Sequence, residues 1–320
     1  MKNRTCLILT YIGKLPNYFD LWWESALNNP RFDFLILMDE HSSYRSIANI
    51  IVLYYDLEML KAKVQKIYDF EIKLNKPYKL CDYRPAYGEI FKEELVGYEF
   101  WGHCDPDIIW GNLSNFITDG ILNRYDKVYT HGHLSLYRNT KLMNEYYRRK
   151  HHYHDCFSYR HAFSSDFCFA YDEWGTKYGG GISEIINRNG DITVYDYTDY
   201  ADVLPSHYEF YLPGYNNCQV GCFKYENGYV WGMVAGQWKE YAYIHLQKRK
   251  MKVRVHNTKV YCVMPNEFVD NITITSGTDR ERYYFYKKYL IEKIKSKYQK
   301  ISQGALKQLV RKIARKINED

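Results

Sequence analysis

Apolar residues in the first third of the chain fall in short blocks that alternate between two periods. Thr5–Thr10, Asp33–Met38 and Asn49–Tyr54 are aliphatic runs of strand length. Between and after them, Pro16–Asn28 and a stretch near Leu57–Asp69 carry the spacing of amphipathic helices. Such alternation predicts a parallel sheet flanked by helices. The pattern continues with a helix near Pro85–Leu95, a strand at Tyr98–His103, a helix near Leu113–Asp119 and a strand at Val128–Thr130. Over residues 160–265 it gives way to aromatic strand-like runs and turns at Gly179-Gly180-Gly181 and Asn227-Gly228.

Helical periodicity returns after a break at residues 274–279. Tyr283, Tyr286, Leu290, Ile294, Tyr298 and Ile301 share one face of a first segment. Leu306, Leu309, Val310, Ile313 and Ile317 share a face of a second, with Lys307, Arg311, Lys312, Arg315 and Lys316 around them. The chain therefore divides into an α/β unit at 1–270 and a helical appendage at 279–320.

Charge sharpens that division. Residues 280–320 hold 13 Lys/Arg against 4 Asp/Glu, a net of +9 where the whole chain is +6, so residues 1–279 carry −3. The basicity belongs to the appendage, whose aromatic and aliphatic face favours an anchor on anionic lipid, or packing on the body, over nucleic acid. No run approaches the ~20 apolar residues of a spanning helix, and the first apolar run is too short for a signal peptide. Eight cysteines without a CxxC read as reduced thiols of a cytosolic protein. The 35 tyrosines read mainly as packing.

Candidate chemistry concentrates where the Tyr98–His103 strand ends. Asp105 and Asp107 follow it one residue apart, and Ile108-Ile109-Trp110 comes next. A buried strand ending so delivers two carboxylates to a sheet edge, where hard oxygens suit Mn²⁺ or Mg²⁺ with substrate phosphates completing the shell. Asp-Pro-Asp is also ordinary turn chemistry. Lys79 and Arg84 precede a helix that Pro85 is suited to start, which places both beside an N-terminus able to hold a diphosphate. His245 ends an apolar run and enters the basic Lys248-Arg249-Lys250; the imidazole offers a third metal ligand and Lys248 a phosphate contact. Asp172 and Glu173 follow the strand-like Phe167–Tyr171 and lead into Trp174, a pattern for binding sugar hydroxyls or acting as a base. His133, in the run from His131 to Arg138, borders an active-site edge. His131-Gly132-His133 and His151-His152-Tyr153-His154-Asp155-Cys156 resemble metal-ligand clusters, but the second lacks the paired spacing of a structural zinc site and reads as a solvated or acceptor-facing loop.

Taken in order, the Lys79–Pro85, Trp101–Asp107, His131–Thr140, Tyr171–Trp174 and Ile244–Arg249 segments resemble nucleotide-sugar glycosyltransferases of the GT-A fold. They are most similar to an uncharacterised bacterial family of capsule and exopolysaccharide glycosyltransferases, over roughly residues 5–265. The resemblance implies a Rossmann-type mixed sheet flanked by helices, with a nucleotide-binding half near 1–130 and an acceptor half near 131–270. It implies Asp105, Asp107 and His245 at Mn²⁺ (or Mg²⁺), and Lys248 on the diphosphate. Thr10, Tyr11 and Asp39 would face the nucleotide, with Arg84 and Lys79 near the diphosphate or donor sugar. His133, Arg138, Asp172, Glu173 and Trp174 would face the acceptor. One departure stands out: retaining relatives follow the distal His with Gly and a Lys-Pro-Trp run, where this chain has Leu246-Gln247-Lys248.

The expected activity is metal-dependent transfer from a nucleoside diphosphate sugar, a UDP-sugar favoured, to a glycan or lipid-linked acceptor in bacterial surface polysaccharide synthesis. Asp172, Glu173 and Lys248 are the expected catalytic groups. The Asp-x-Asp/His pattern leans towards retention, whereas a base at 172 or 173 suits inversion. The expected place is the cytoplasmic face of the cell membrane, with residues 280–320 on anionic lipid. Two other classes compete: a phosphoryl transferase using the Asp pair, and a non-catalytic membrane-surface protein. The former normally carries its pair after the first strand, and here it arrives near position 105.

Overall fold

A computed structural model describes residues 4–39, 43–176, 179–215, 218–271 and 278–295. Alternation within β1 (Thr5–Tyr11) sets the architecture: Cys6 and Ile8 belong to one core, Leu7 and Leu9 to another, and all four are buried. A strand apolar on both sides must be covered on both. β2 (Phe32–Met38) repeats the pattern, with Leu35 and Leu37 on the first side and Phe34 and Ile36 on the second. α1 (Phe19–Leu27) covers the second side through Phe19, Trp22 and Ala26; α2 (Leu57–Gln65), capped by Asp56, covers the first through Leu60 and Val64.

The main sheet is completed by β3 (Ile50–Tyr54), β4 (Phe100–Cys104), β6 (Lys127–His131), β7 (Leu134–Arg138) and a short strand at Val194–Tyr195. β5 (Ile108–Trp110) leaves it for a second sheet. The order is Val194–Tyr195, β6, β7, β4, β1, β2, β3. β1, β2, β3 and β4 run parallel, as the βα alternation predicts. β7 is antiparallel to both neighbours, so the sheet is mixed. Only Gly132 and His133 separate β6 from β7, too few residues for a crossover, and a hairpin is the available connection.

Two predicted helices change form. Pro77–Ala86 is a 3₁₀ helix with Pro85 inside it, and α-helix follows only over Tyr87–Ile90. Asp82 holds this segment down by accepting from the backbone N–H groups of Phe169 and Tyr171. The same bonds make Phe167–Tyr171 a tethered irregular segment and not a strand. Leu113–Asn115 is likewise a 3₁₀ turn, and the helix starts later, at Asp119, capped by Thr118.

The second half builds a three-stranded sheet of Ala201–Asp202, Tyr243–His245 and β5, then a larger sheet within 210–269 that is antiparallel except where Lys252–Arg254 pairs in parallel with Glu267–Val269. The Asn227-Gly228 turn joins two of its strands with both residues at positive φ, as a type I′ hairpin requires. Tyr18 and Leu21 of the α1 region share a core with Phe223 and Tyr261 of this sheet. Among the described residues, no helix is long and apolar enough to cross a membrane. Residues 279–295 are helical; Tyr298, Ile301 and the second predicted helix at 306–317 lie outside the described residues.

One core position opposes the rest. Lys127 is fully buried, its Nζ has no hydrogen-bond partner, and the ammonium sits 3.9 Å from the Tyr137 ring centre. Burial pushes its pKa down to about 7. Unfolded lysine titrates near ~10.4, so between these values the unfolded chain binds more protons and stability rises with pH. Lys127→Met is expected to stabilise by roughly 1–4 kcal/mol at pH 7. Its advantage over wild type should shrink in urea titrations at pH 9, and an equal advantage at both pH values would count against a buried charge.

Candidate functional site

β4 stops at Cys104 and β5 begins at Ile108, which leaves Asp105-Pro106-Asp107 as the corner between two sheets. In the second sheet Ile108 lies opposite His245, and Asp202 is in register with His245 on its other side. Strand register therefore brings together acids that are about 100 residues apart. Leu246 N–H donates to the Asp107 carbonyl, 2.9 Å. Gln247 and Lys248 then turn through φ of 52° and 58°, and the Lys248 N–H reaches Asp107 Oδ2 at 2.5 Å. The backbone thus fixes Asp107 from both ends.

His245 bridges three carboxylates. Its Nε2 lies 3.5 Å from Asp107 Oδ1 and 3.9 Å from Asp105 Oδ2, while Nδ1 pairs with Asp202 Oδ1 at 2.8 Å. Gln247 donates to the same Asp202 oxygen at 2.7 Å. Burial opposes an imidazolium, but Asp107 and Asp202 outweigh it and raise the pKa to about 10. Burial likewise opposes ionised Asp107, and His245 and the Lys248 amide hold it below the usual carboxylate range. Asp107 Oδ1 is buried without a hydrogen-bond partner. Asp105, Asp107 and His245 each offer a ligand atom within 4.8 Å of the others. Two hard carboxylate oxygens, one of them the orphaned Asp107 Oδ1, and one imidazole fit a divalent cation in place of the His245 proton. The carboxylate behind Nδ1 is the usual orienting partner of a metal-binding histidine. A second group, His133, Asp202 and His245, meets the same distance criterion, and His133 Nε2 is also buried without a partner.

Arg84 closes the opposite wall. Its guanidinium donates to Asp105, to Asp172 Oδ2 at 2.8 Å and to the Gly132 carbonyl at 2.7 Å. Burial pushes Asp172 up to about 7 against the pull of Arg84; Glu173 beside it has an exposed side chain, and its pKa is raised by partial desolvation in the cavity and by the charge of Asp105. A side chain at Gly132 would crowd Glu173, since a Cβ there would stand 2.2 Å from Glu173 Oε1 and push that carboxylate aside. Together these groups line a cavity of about 880 Å³, of the size that holds a small-molecule ligand.

Of the residues read from the sequence, Thr10, Tyr11, Arg84, Asp105, Asp107, His133, Asp172, Glu173, His245 and Lys248 line this cavity. Lys248 Nζ lies 3.3 Å from the Tyr78 hydroxyl, at the same wall. Asp39 stands behind the wall, where it accepts from Gly13 N–H at 3.2 Å and shapes the loop after β1. Three expected residues are elsewhere. Lys79 is buried against Asp82 and the Ala162 and Phe167 carbonyls, so its ammonium is spent on tethering the 3₁₀ segment. With α-helix confined to Tyr87–Ile90, the helix N-terminus expected to hold an anion is not formed there. Arg138 sits opposite Phe100, because antiparallel β7 carries its C-terminal end to the far edge of the sheet; there it binds Asp126 and the Leu122 and Tyr125 carbonyls. Trp174 lies outside the cavity wall and donates to Thr130 Oγ1 at 2.8 Å.

Sequence reasoning missed Asp202, Tyr78 and Gln247 on the cavity wall, where His131 of the His131-Gly132-His133 cluster also lies. Asp202 ends a two-residue strand in irregular surroundings, and only its register against His245 marks it. Gln247 was visible as the residue between His245 and Lys248.

Residues 7–272 match a family described as "Family of unknown function (DUF6625)", and the chain belongs to that family. No curated protein matches the chain.

Proposed function

We propose that this DUF6625 member is a metal-dependent glycosyltransferase that takes a nucleoside diphosphate sugar as donor and a glycan or lipid-linked acceptor. The observation that carries the reading is the convergence of Asp105, Asp107 and His245, with one carboxylate oxygen orphaned, beside Lys248 and Arg84 in a single cavity. The place in the sheet supports it. Strand order reverses between β1 and β4, and ligands of open α/β sheets bind in the crevice beyond such a switch point. Thr10 and Tyr11 lie at the end of β1, and Asp105 follows β4. That arrangement also favours the GT-A-like reading of the fold.

Mn²⁺ or Mg²⁺ held by Asp105, Asp107 and His245 would supply Lewis-acid neutralisation of a departing diphosphate. Lys248 adds an ammonium to the cavity wall, 3.3 Å from the Tyr78 hydroxyl and suited to phosphate oxygens. Glu173 and Asp172 form the acidic wall. Asp172 is tied to Arg84, which leaves Glu173, with its raised pKa, as the better-placed base for an acceptor hydroxyl. The Asp pair follows the fourth strand and one member is clamped by Arg84, which argues against an aspartyl nucleophile of the phosphatase kind.

A thermal-shift screen of nucleoside diphosphates with and without Mn²⁺ tests the proposal. Saturation at ~100 Kd stabilises by about 2.7 kcal/mol, and one diphosphate with metal is expected to raise Tm by several degrees beyond either alone. Identical melting with every diphosphate, metal present or absent, would sink the reading.

A further inference from the structure

The sequence leaves the apolar face of the 279–295 helix with two occupants, the body of the protein or a membrane, and the structure separates them. Among residues 278–295 only Phe285 and Tyr289 are half-buried, and every other residue is exposed. Phe285 packs on Tyr208 and under the Arg249 guanidinium, 5.1 Å from ring centre to Cζ. Arg282 pairs with Glu209, and Glu292 lies 4.0 Å from Lys250. These four helix residues are spaced by three and four, so the body holds one stripe of the helix.

Tyr283, Leu290, Ile291 and Ile294 project from the far side, and they are 59%, 36%, 43% and 52% exposed. Lys287 lies among them, with Lys293 along one flank and Lys288 and Lys295 along the other. A helix resting on a protein in water turns polar residues outward. This one turns outward an aromatic and aliphatic strip bordered by lysines, the pattern of a helix lying in a bilayer interface. Residues 1–279 are net negative as a whole, so the chain's excess positive charge, which anionic lipid would attract, lies in the appendage.

We propose that the outer face of helix 279–295 docks on an anionic lipid surface and holds the cavity beside the bilayer. Arg249 and Lys250 belong both to the cavity wall and to the stripe that grips the helix, so a membrane on the far face lies next to the cavity. This rests on the helix geometry and not on the transfer reading; either can fail without the other.

The test is co-sedimentation of the full chain with phosphatidylcholine vesicles, with and without phosphatidylglycerol. Wild type is expected to bind the anionic vesicles, and binding should weaken as salt is raised. Reversal of Lys287, Lys288, Lys293 and Lys295 to Glu should weaken it by at least about tenfold. Leu290→Ser with Ile294→Ser should weaken binding to the same vesicles while melting temperature stays at the wild-type value. Equal binding to neutral and anionic vesicles, no binding to either, or wild-type binding by both variants would overturn the proposal. So would retention on single-stranded RNA without retention on vesicles.

Discussion

Asp107→Asn is expected to lower metal-dependent turnover by on the order of 10²–10³-fold or more. It should also abolish high-affinity Mn²⁺ binding while the protein stays folded. Asp107 is the carboxylate with the least freedom: one oxygen accepts the Lys248 amide at 2.5 Å, and the other is buried without a hydrogen bond, 3.5 Å from His245 Nε2. An amide there has one acceptor atom in place of two. If the oxygen stays on the Lys248 N–H, an NH₂ group faces His245 and repels a cation. If the amide flips, the Lys248 N–H loses its acceptor. Either way the anionic charge facing a cation falls by one. Mn²⁺ binding followed by electron paramagnetic resonance, beside turnover of nucleotide sugars and a melting curve, checks each part. Full Mn²⁺ affinity in Asp107→Asn would remove this residue from the metal site.

Much of this site was legible because its elements are local. The run from Tyr98 to Asp107 carries its own strand, its own stop and both carboxylates, and the structure keeps them in that order. The βα alternation of residues 5–65 was legible for the same reason, since burial on both faces leaves continuous aliphatic runs. What failed depended on direction and on distant partners. The resemblance over His131–Thr140 puts Arg138 on the acceptor side with His133. The two-residue β6–β7 connection reverses β7 and sends Arg138 to the other edge. Lys79 looked like an anion contact because its neighbours suggested a helix start. Beside Asp82, three residues on, its partners are the Ala162 and Phe167 carbonyls, more than 80 residues away. Asp202 had no local signal at all; it becomes a site residue only when two short strands pair. The apolar face of 279–295 was legible as a face, but which way it points was decided by Phe285 and Arg249.

Arg84→Ala carries the largest expected cost in stability, about 3–5 kcal/mol. The guanidinium joins Asp105 on the metal side to Asp172 on the acidic side and also satisfies the Gly132 carbonyl. Without it, Asp172 remains almost wholly buried with no cation in contact, and that carboxyl is pushed further above its present value of about 7. The sign of the pH dependence follows. A carboxyl whose folded pKa lies above its unfolded value binds more protons in the native state, so stability falls as pH rises from about 4 through the folded pKa. The deficit of the variant should therefore be smaller at pH 5 than at pH 8. Arg84→Lys keeps the charge but not the planar fork, cannot reach all three acceptors in the same geometry, and should fall between wild type and Ala. Adding Asp172→Asn to Arg84→Ala neutralises one stranded carboxylate and should recover part of the loss, an interaction on the order of 0.5–3 kcal/mol in a double-mutant cycle. Additive single-mutant costs in that cycle, with a deficit independent of pH, would mean that Arg84 acts by filling space and not by holding the two acidic walls of the cavity together.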